Sequence, residues 1–152
     1  TMGPGGLVYD SLNQAAGRFS LEAEIFLFPG SSAGEYGIFL GRSGSGWTAF
    51  VVRRDGSAAI VRHDGGRAVM LAPWAERDSV PKLDPNGPVK VVLRVDAEPD
   101  SVRFHVNGGR VAAVGRAAAM VEGGFGLRAG PGVNLHVSRL DHTRRLAPPR
   151  GG

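Results

Sequence analysis

The stretch that decides the fold is SVRFHVNGGRVAAV, from Ser101 to Val114. Apolar and polar residues alternate from Val102 to Val106, which is the period-two pattern of a strand with one buried face. Asn107 and Gly108 follow, and both residue types tolerate the positive φ angles of a tight hairpin turn. Apolar residues resume at Val111. The stretch therefore predicts a β-hairpin.

A second hairpin is predicted in TAFVVRRDGSAAIVRH, from Thr48 to His63, where Asp55 and Gly56 separate two strand-like runs. Short runs rich in glycine, proline, serine and aspartate separate the other strand-like segments. These segments are FSLEAEIFLF (Phe19 to Phe28), YGIFLGR (Tyr36 to Arg42), RAVMLA (Arg67 to Ala72), PVKVVLRV (Pro88 to Val95), GFGLRAG (Gly124 to Gly130) and VNLHVSRLDH (Val133 to His142). Many short strands at close spacing favour an all-β sandwich or barrel over a βαβ fold.

Two segments have a helical composition, PWAERD (Pro73 to Asp78) and RAAAMVE (Arg116 to Glu122). We predict both as connecting loops, the second with one helical turn.

The chain has 152 residues, a length that corresponds to one domain. No apolar run approaches the roughly 18 residues of a membrane span, so we expect a globular protein without such a span or a signal segment. The absence of cysteine excludes disulfide scaffolds, thiolate metal sites and cysteine nucleophiles. We predict an N-terminal segment over 1–18, partly a tag remnant or an edge strand, a β-sandwich domain over 19–145, and a tail or linker over 146–152. An extracellular or cell-surface location is favoured.

The net charge of +4 is carried almost wholly by arginine. An anionic polymer partner would require arginines clustered on one face, whereas here they are spread along the chain. The paired aromatics of an RNA-binding sheet are also missing, since GFGLRA is only a partial match. A nucleic-acid partner is therefore disfavoured.

The order of the strand motifs resembles a known superfamily. The motifs are F-x-L-x-A-E at Phe19, YGIFLGR at Tyr36, V-R-F-x-V-N-G-x-x-V at Val102 and G-F-G-L-R at Gly124. Their order is similar to that of the concanavalin A-like jelly rolls, specifically the laminin G-like domains and the related bacterial 3-keto-disaccharide hydrolase domains. The resemblance covers about Phe19 to His142. It implies two antiparallel sheets packed face to face, with ligands on the concave face or the loop rim.

Trp47 and Trp74 are the aromatic residues best suited to a carbohydrate ligand. A flat indole stacks on the apolar face of a sugar ring and supplies one hydrogen-bond donor. Both tryptophans border loops that contain glycine or proline. The competing interpretation is a tryptophan half-buried in the sandwich. Tyr36 and Arg62 are weaker candidates for the same surface.

His105 and His136 each lie between apolar strand residues, so both are expected to face away from the core. If their strands are neighbours in one sheet, the two imidazoles approach one another. We predict a polar ligand site made by these histidines with Arg103 and Asn134. Histidines on a solvated sheet face are the competing interpretation, and none of the four histidines has metal-site spacing.

Glu22 and Glu24 form a carboxylate pair on one strand, where residues two apart point to the same face about 7 Å apart. Glycosidases hold two carboxyl groups at separations near this value. However, LEAEIF lacks the central aspartate and last glutamate of the E-x-D-x-x-E motif of the laminarinase-type relatives. The preferred interpretation is a pair of glutamates on a solvated face.

Calcium is the one cofactor that the resemblance suggests, because superfamily members often bridge an early loop and the final strand with an oxygen-ligated ion. Asp10 and Asp141 would be the carboxylates here. The chain has no D-x-D-x-D-G loop, so we otherwise expect no cofactor.

The sequence thus predicts a non-catalytic binding or accessory module that recognises a carbohydrate or glycan on the concave face, through Trp47, Trp74, Arg103, His105, Asn134 and His136. One alternative is a glycoside-cleaving enzyme of the 3-keto-disaccharide hydrolase type, with acid and base drawn from Glu22, Glu24, His105 and His136. The other alternative is a protein-interaction module with an arginine-rich face.

Overall fold

Two antiparallel β-sheets make up the structure, a computed structural model that describes residues 6–15, 18–30, 34–44, 46–130 and 132–144. The strands are β1 (Gly6–Ala15), β2 (Phe19–Leu27), β3 (Tyr36–Ser43), β4 (Gly46–Val52), β5 (Ser57–Asp64), β6 (Arg67–Glu76), β7 (Val89–Ala97), β8 (Ser101–Val106), β9 (Gly109–Gly115), β10 (Gly123–Ala129) and β11 (Leu135–Arg144). One sheet has the order β1-β10-β3-β4-β5-β6 and the other β11-β2-β7-β8-β9. The predicted all-β sandwich of two antiparallel sheets is confirmed.

The core lies between the two sheets and is built by alternation along each strand. In β2 the residues from Phe19 to Leu27 at odd positions are all at most 1% exposed, while the glutamates between them are only partly covered. Phe50 of the six-stranded sheet meets Phe104 of the five-stranded sheet edge to face, with ring centroids 5.1 Å apart. Such contacts identify the side of each strand that faces the core. Because successive side chains alternate between the two faces, the other residues face outward, where a ligand site can form.

The hairpin predicted at Ser101–Val114 is confirmed. Val106 pairs with Gly109, and Asn107 and Gly108 between them have φ angles of 48° and 85°. Two positive φ angles in a two-residue loop match the twist of the flanking strands. The Asn107 side chain also ties the turn to β7, because its Oδ1 accepts a hydrogen bond from the backbone nitrogen of Val92 at 2.7 Å.

The second predicted hairpin is also confirmed, and its loop has three residues. The backbone nitrogen of Arg53 donates to the oxygen of Ser57 at 2.9 Å, and Gly56 has a φ of 91°. A three-residue loop with a left-handed glycine is a common hairpin form. It sets the register so that Trp47 lies directly opposite His63.

The prediction that Pro73–Asp78 is a connecting loop was wrong for its first four residues, because β6 continues to Glu76. Proline lacks a backbone donor, but β6 is an edge strand, and an edge strand needs only one side of its ladder. Trp74 therefore lies on a strand. The predicted helical turn is confirmed as α1 (Arg116–Ala119).

Strand β1 lies within the predicted N-terminal segment and forms the edge of the six-stranded sheet by pairing with β10. The predicted tail, 146–152, lies outside the described residues. Within the described part of the chain, no helix has the length and apolar character needed to cross a membrane.

Candidate functional site

The structure divides the predicted site residues between opposite sides of the sandwich. Trp47 and Trp74 pack on the outward side of the six-stranded sheet. The polar candidates belong to the five-stranded sheet. Arg103 and His105 lie on β8, His136 lies on β11, and Asn134 immediately precedes β11. A single site that combines the tryptophans with these polar residues was therefore a wrong prediction.

His105 and His136 also do not approach one another. Their strands, β8 and β11, are separated by β2 and β7 in the sheet order. Three steps between neighbouring strands amount to about 14 Å. The expected neighbourhood failed because the order of strands in a sheet follows from the topology of the whole chain, which alternation along single strands does not contain.

The outward side of β4 and β5 carries a second apolar cluster, distinct from the core. Ala49, Val51, Ala59 and Val61 are each at most 8% exposed, and both tryptophans pack against them. We call this cluster together with Trp47 and Trp74 the tryptophan face. Phe39, which pairs with Ala49, extends it onto β3. Small residues at these four positions let the larger side chains lie over the sheet.

At one end of the tryptophan face, Trp47 stacks on His63. The ring centroids are 4.8 Å apart and the ring planes differ by 21°. The Arg42 guanidinium lies over the same indole, with its Cζ 5.7 Å from the ring centroid. The Trp47 Nε1 is buried and has no hydrogen-bond partner among the described residues. A buried donor without a partner is costly.

The surroundings of His63 favour the neutral form of its imidazole. Burial is the main cause that lowers its pKa from the ordinary value of 6.5, and the positive charges of Arg128 and Arg62 lower it further. The carboxylates of Glu35 and Asp64 oppose this shift without reversing it. A neutral imidazole offers one donor and one acceptor, which suits hydroxyl groups.

At the other end of the tryptophan face, Arg53 covers Trp74. The Arg53 Cζ lies 3.7 Å from the indole centroid, which is a stacked cation–π contact. Trp74 sits beside Ala59, between the paired positions Ala58–Ala75 and Ile60–Ala72. One face of this indole is thus occupied by a guanidinium. Trp74 presents an arginine to the solvent side, in contrast to the bare stacking platform that the sequence suggested.

His63, Arg53 and Arg42 belong to this face and were not predicted from the sequence. The signal for His63 was the hairpin itself, since its loop length decides which side of β5 shares a face with Trp47. A two-residue loop would have shifted the register by one and placed His63 on the opposite side.

The outward side of the five-stranded sheet carries a network of ion pairs. Arg94 contacts Glu22 at 3.4 Å and Asp96 at 3.0 Å, and Arg139 contacts Glu22 and, at 3.0 Å, Asp141. A shallow cavity of about 390 Å³ lies there, lined by Glu22, Val92, Arg94, Asp96, His105 and Gly108. Most polar atoms in it already have protein partners.

His105 is the polar group in this cavity with spare capacity. Its Nδ1 is buried without a hydrogen-bond partner among the described residues and lies 3.7 Å from the Asp96 carboxylate. Burial is the largest cause that lowers the pKa of His105; Asp96 acts against it and Arg94 adds to it.

Tyr36 and Arg62 do not belong to either outward face. Tyr36 is fully buried in the core, and burial raises the pKa of its hydroxyl. Arg62 is 5% exposed and closes one end of the sandwich. Its Nη1 donates to the carbonyl of Gly41 at 3.3 Å and to the hydroxyl of Thr48 at 3.2 Å, and its Nη2 to Asp64 at 3.0 Å. Arg62 is a structural residue.

The sequence matches no protein-family model and no curated protein. Solved structures do match the fold. The carbohydrate-binding module CBM66 from Bacillus subtilis aligns with a TM-score of 0.67 at 17% identity, over 84% of this chain and 76% of that one. Sheep galectin-11 gives 0.64 at 13% identity, over 93% and 99%. The β-glucanase of Bacillus licheniformis gives 0.62 at 12% identity, over 88% and 69%.

This chain has the concanavalin A-like jelly-roll fold. The superfamily resemblance carried by the strand motifs is thereby confirmed at the level of the fold. The narrower likeness to laminin G-like and 3-keto-disaccharide hydrolase domains stays a prediction.

No described residues of this jelly roll form a group of three histidine or acidic side chains that would hold a metal ion. Asp141 is engaged by Arg139, and β1, which contains Asp10, belongs to the other sheet. Calcium binding stays a prediction.

Proposed function

We propose that this jelly roll is a carbohydrate-binding module and that its glycan lies along the tryptophan face. The proposal rests on two contacts at the two ends of one apolar cluster. Trp47 stacks on the His63 imidazole, and Trp74 lies under the Arg53 guanidinium. Apolar surface beside a few fixed polar groups is the usual make-up of a ligand site.

The dimensions of the face suit a chain of sugars. Trp47 pairs with His63, and four residues further along β4, Val51 pairs with Ala59 beside Trp74. Four residues of an extended strand span about 13 Å. This length accommodates a short oligosaccharide, with one polar group for each end.

The polar groups match hydroxyl recognition. The His63 imidazole and the Arg53 guanidinium together offer donors and one acceptor. The strand framework holds these groups in place, so little order has to be gained when a ligand binds. The fold neighbours add support, since a carbohydrate-binding module and galectins are among them.

The test is a glycan array followed by titration calorimetry with the strongest binders. We expect His63→Ala and Trp47→Phe to weaken binding about tenfold, while His136→Ala on the opposite sheet leaves it unchanged. Circular dichroism and urea unfolding establish that each variant is folded. Binding that depends on His105 or His136 instead, or no binding by the folded wild type, would refute the proposal.

Glycoside cleavage and protein interaction stay predictions without a specific observation in their favour. Among the proposed acid and base residues, Glu22 is bound by Arg94 and Arg139, and Glu24 accepts a hydrogen bond from Ser138 at 2.8 Å. His136 is exposed on β11. Incubation of bound oligosaccharides with the protein, followed by an assay for new reducing ends, separates cleavage from binding.

A further inference from the structure

We propose that the glycan recognised by the tryptophan face is anionic, and that Arg53 binds its carboxylate or sulfate group. This inference rests on the proposed function and names its ligand class. It starts from the Arg53 guanidinium, which lies over Trp74. The hydrogen bond from Ser57 is the main cause that lowers the pKa of the neighbouring Asp55 carboxyl, and the Arg53 charge lowers it further.

Arg53 is half-buried and stacked on Trp74, yet it makes no ion pair with any described carboxylate. Stacking occupies the flat side of the guanidinium and leaves its N–H edge in the plane of the group. That edge is the fork that binds carboxylate and sulfate oxygens in pairs. Trp74 thus holds Arg53 in an orientation that has lost side-chain freedom before any ligand arrives.

The acidic side chains near this face are already used. Both Nε and Nη2 of Arg128 donate to the same oxygen of Glu35, at 3.1 and 2.9 Å. The Asp55 carboxylate accepts from the backbone and hydroxyl of Ser57. Glu76 lies 3.5 Å from Lys82. Asp55 feels the Arg53 charge, but no described carboxylate forms a salt bridge with the Arg53 fork, which leaves the fork open to an anionic ligand.

On the opposite sheet, arginines are paired with carboxylates of the protein itself. There, Arg94 contacts two carboxylates and Arg139 contacts three. Arg53 differs from them in having an aromatic ring where they have acids. Further positive charge lies on the tryptophan face, with Arg42 over Trp47 at the far end. An anion placed between the two ends would meet a positive potential on both sides.

Two ligand chemistries fit the fork, a uronate carboxylate and a sulfate ester, and matched polymers distinguish them. Polygalacturonate is compared with its methyl ester, and dextran sulfate with dextran. The neutral member of each pair keeps the sugar rings and removes the charge. We expect one anionic polymer to bind about tenfold or more tighter than its neutral counterpart.

Substitutions at Arg53 and at a control arginine test whether the Arg53 fork itself binds the anionic group. Arg53→Gln removes the charge and is expected to lower the affinity for the anionic polymer about tenfold, whereas Arg53→Lys keeps the charge without the fork and restores only part of it. Arg103→Gln is the matched control, because it removes the same charge from an exposed position on the opposite sheet. We expect it to leave binding close to that of the wild type.

The other possible binding results overturn one or both of the proposals. Equal affinity for charged and neutral polymers, with His63→Ala still weakening both, overturns the anionic assignment and leaves the proposed function standing. Equal losses for Arg53→Gln and Arg103→Gln mean diffuse charge attraction and overturn the role of Arg53. Binding of single-stranded DNA with the same dependence on Arg53 shows a general polyanion site and overturns the glycan assignment. No binding to any polymer or array glycan overturns both proposals.

Discussion

The Arg53 guanidinium lies flat over the Trp74 indole, 3.7 Å from the ring centroid, on the outward side of the edge strand of the six-stranded sheet. This contact gives a measurable coupling. In a double-mutant cycle of Arg53→Ala and Trp74→Leu against urea unfolding, we expect a coupling energy of about 0.5–1 kcal/mol, the range for a partly exposed cation–π pair. Additive effects of the two changes would show that the contact contributes nothing to stability.

Arg62 is expected to be a stability residue without a role in binding. Arg62→Leu leaves the carbonyls of Gly41 and Met120 without their guanidinium donor, so we expect a loss of about 1–3 kcal/mol in the free energy of unfolding. Asp64→Asn leaves the buried Arg62 guanidinium without the carboxylate that accepts from its Nε and Nη2, so we expect a loss of about 1–3 kcal/mol here as well. Glycan binding at a temperature where Arg62→Leu is folded should match the wild type.

Gly41 and Gly44 form a matched pair for the contact between β3 and the loop after α1. Both have positive φ angles, 65° and 60°. A Cβ on Gly41 would lie 1.8 Å from the Met120 oxygen, whereas one on Gly44 would meet nothing within 4 Å. Gly44→Ala should therefore cost only the left-handed strain, about 1 kcal/mol, and Gly41→Ala about 3 kcal/mol or more, because overpacking is added. Equal urea midpoints for the two variants would contradict this close approach.

The free energy of unfolding is expected to decrease as the pH is lowered from 7.5 to 5.5. The pKa values of His63 and His105 are lowered in the folded protein, mainly by burial. Below the unfolded value of about 6.5 the unfolded chain therefore binds protons that the folded chain does not, which favours unfolding as the pH falls. Asp55 titrates below this window. The urea midpoint at the two pH values measures the effect.

The control for this pH dependence is the double variant His63→Asn with His105→Asn. It removes both imidazoles, so the difference between the two midpoints should shrink. If the variant keeps the full difference, other groups cause it.

The parts of the fold that were predictable from the sequence are those fixed by neighbouring residues. The hairpin at Asn107 needed only alternation and two residues that accept positive φ, and both are local properties. Trp74 was misplaced in a loop because Pro73 argues against a central strand, and only the finished sheet shows that β6 is an edge. The candidate site was less predictable, since the side of the sandwich that each strand faces depends on which strands share a sheet.

The proposed anionic site could not be predicted from the sequence for the same reason. The arginines are spread along the sequence, and spacing alone gave no reason to single one out. Arg53 differs from Arg54 because β4 points it over Trp74, a residue 21 positions away on another strand. Long-range pairing of this kind is set by sheet topology and lies outside any local pattern.

Pro73 has a further effect at the free edge of the six-stranded sheet. It offers no backbone donor, and the pairing between β5 and β6 shifts register twice nearby, between Ala58 and Ile60 and between Ile60 and Val61. A second chain therefore finds an interrupted row of donors on an irregular strand, which opposes the edge-to-edge stacking that leads to fibres. The irregular strand that carries Trp74 is thus a poor template for a further strand.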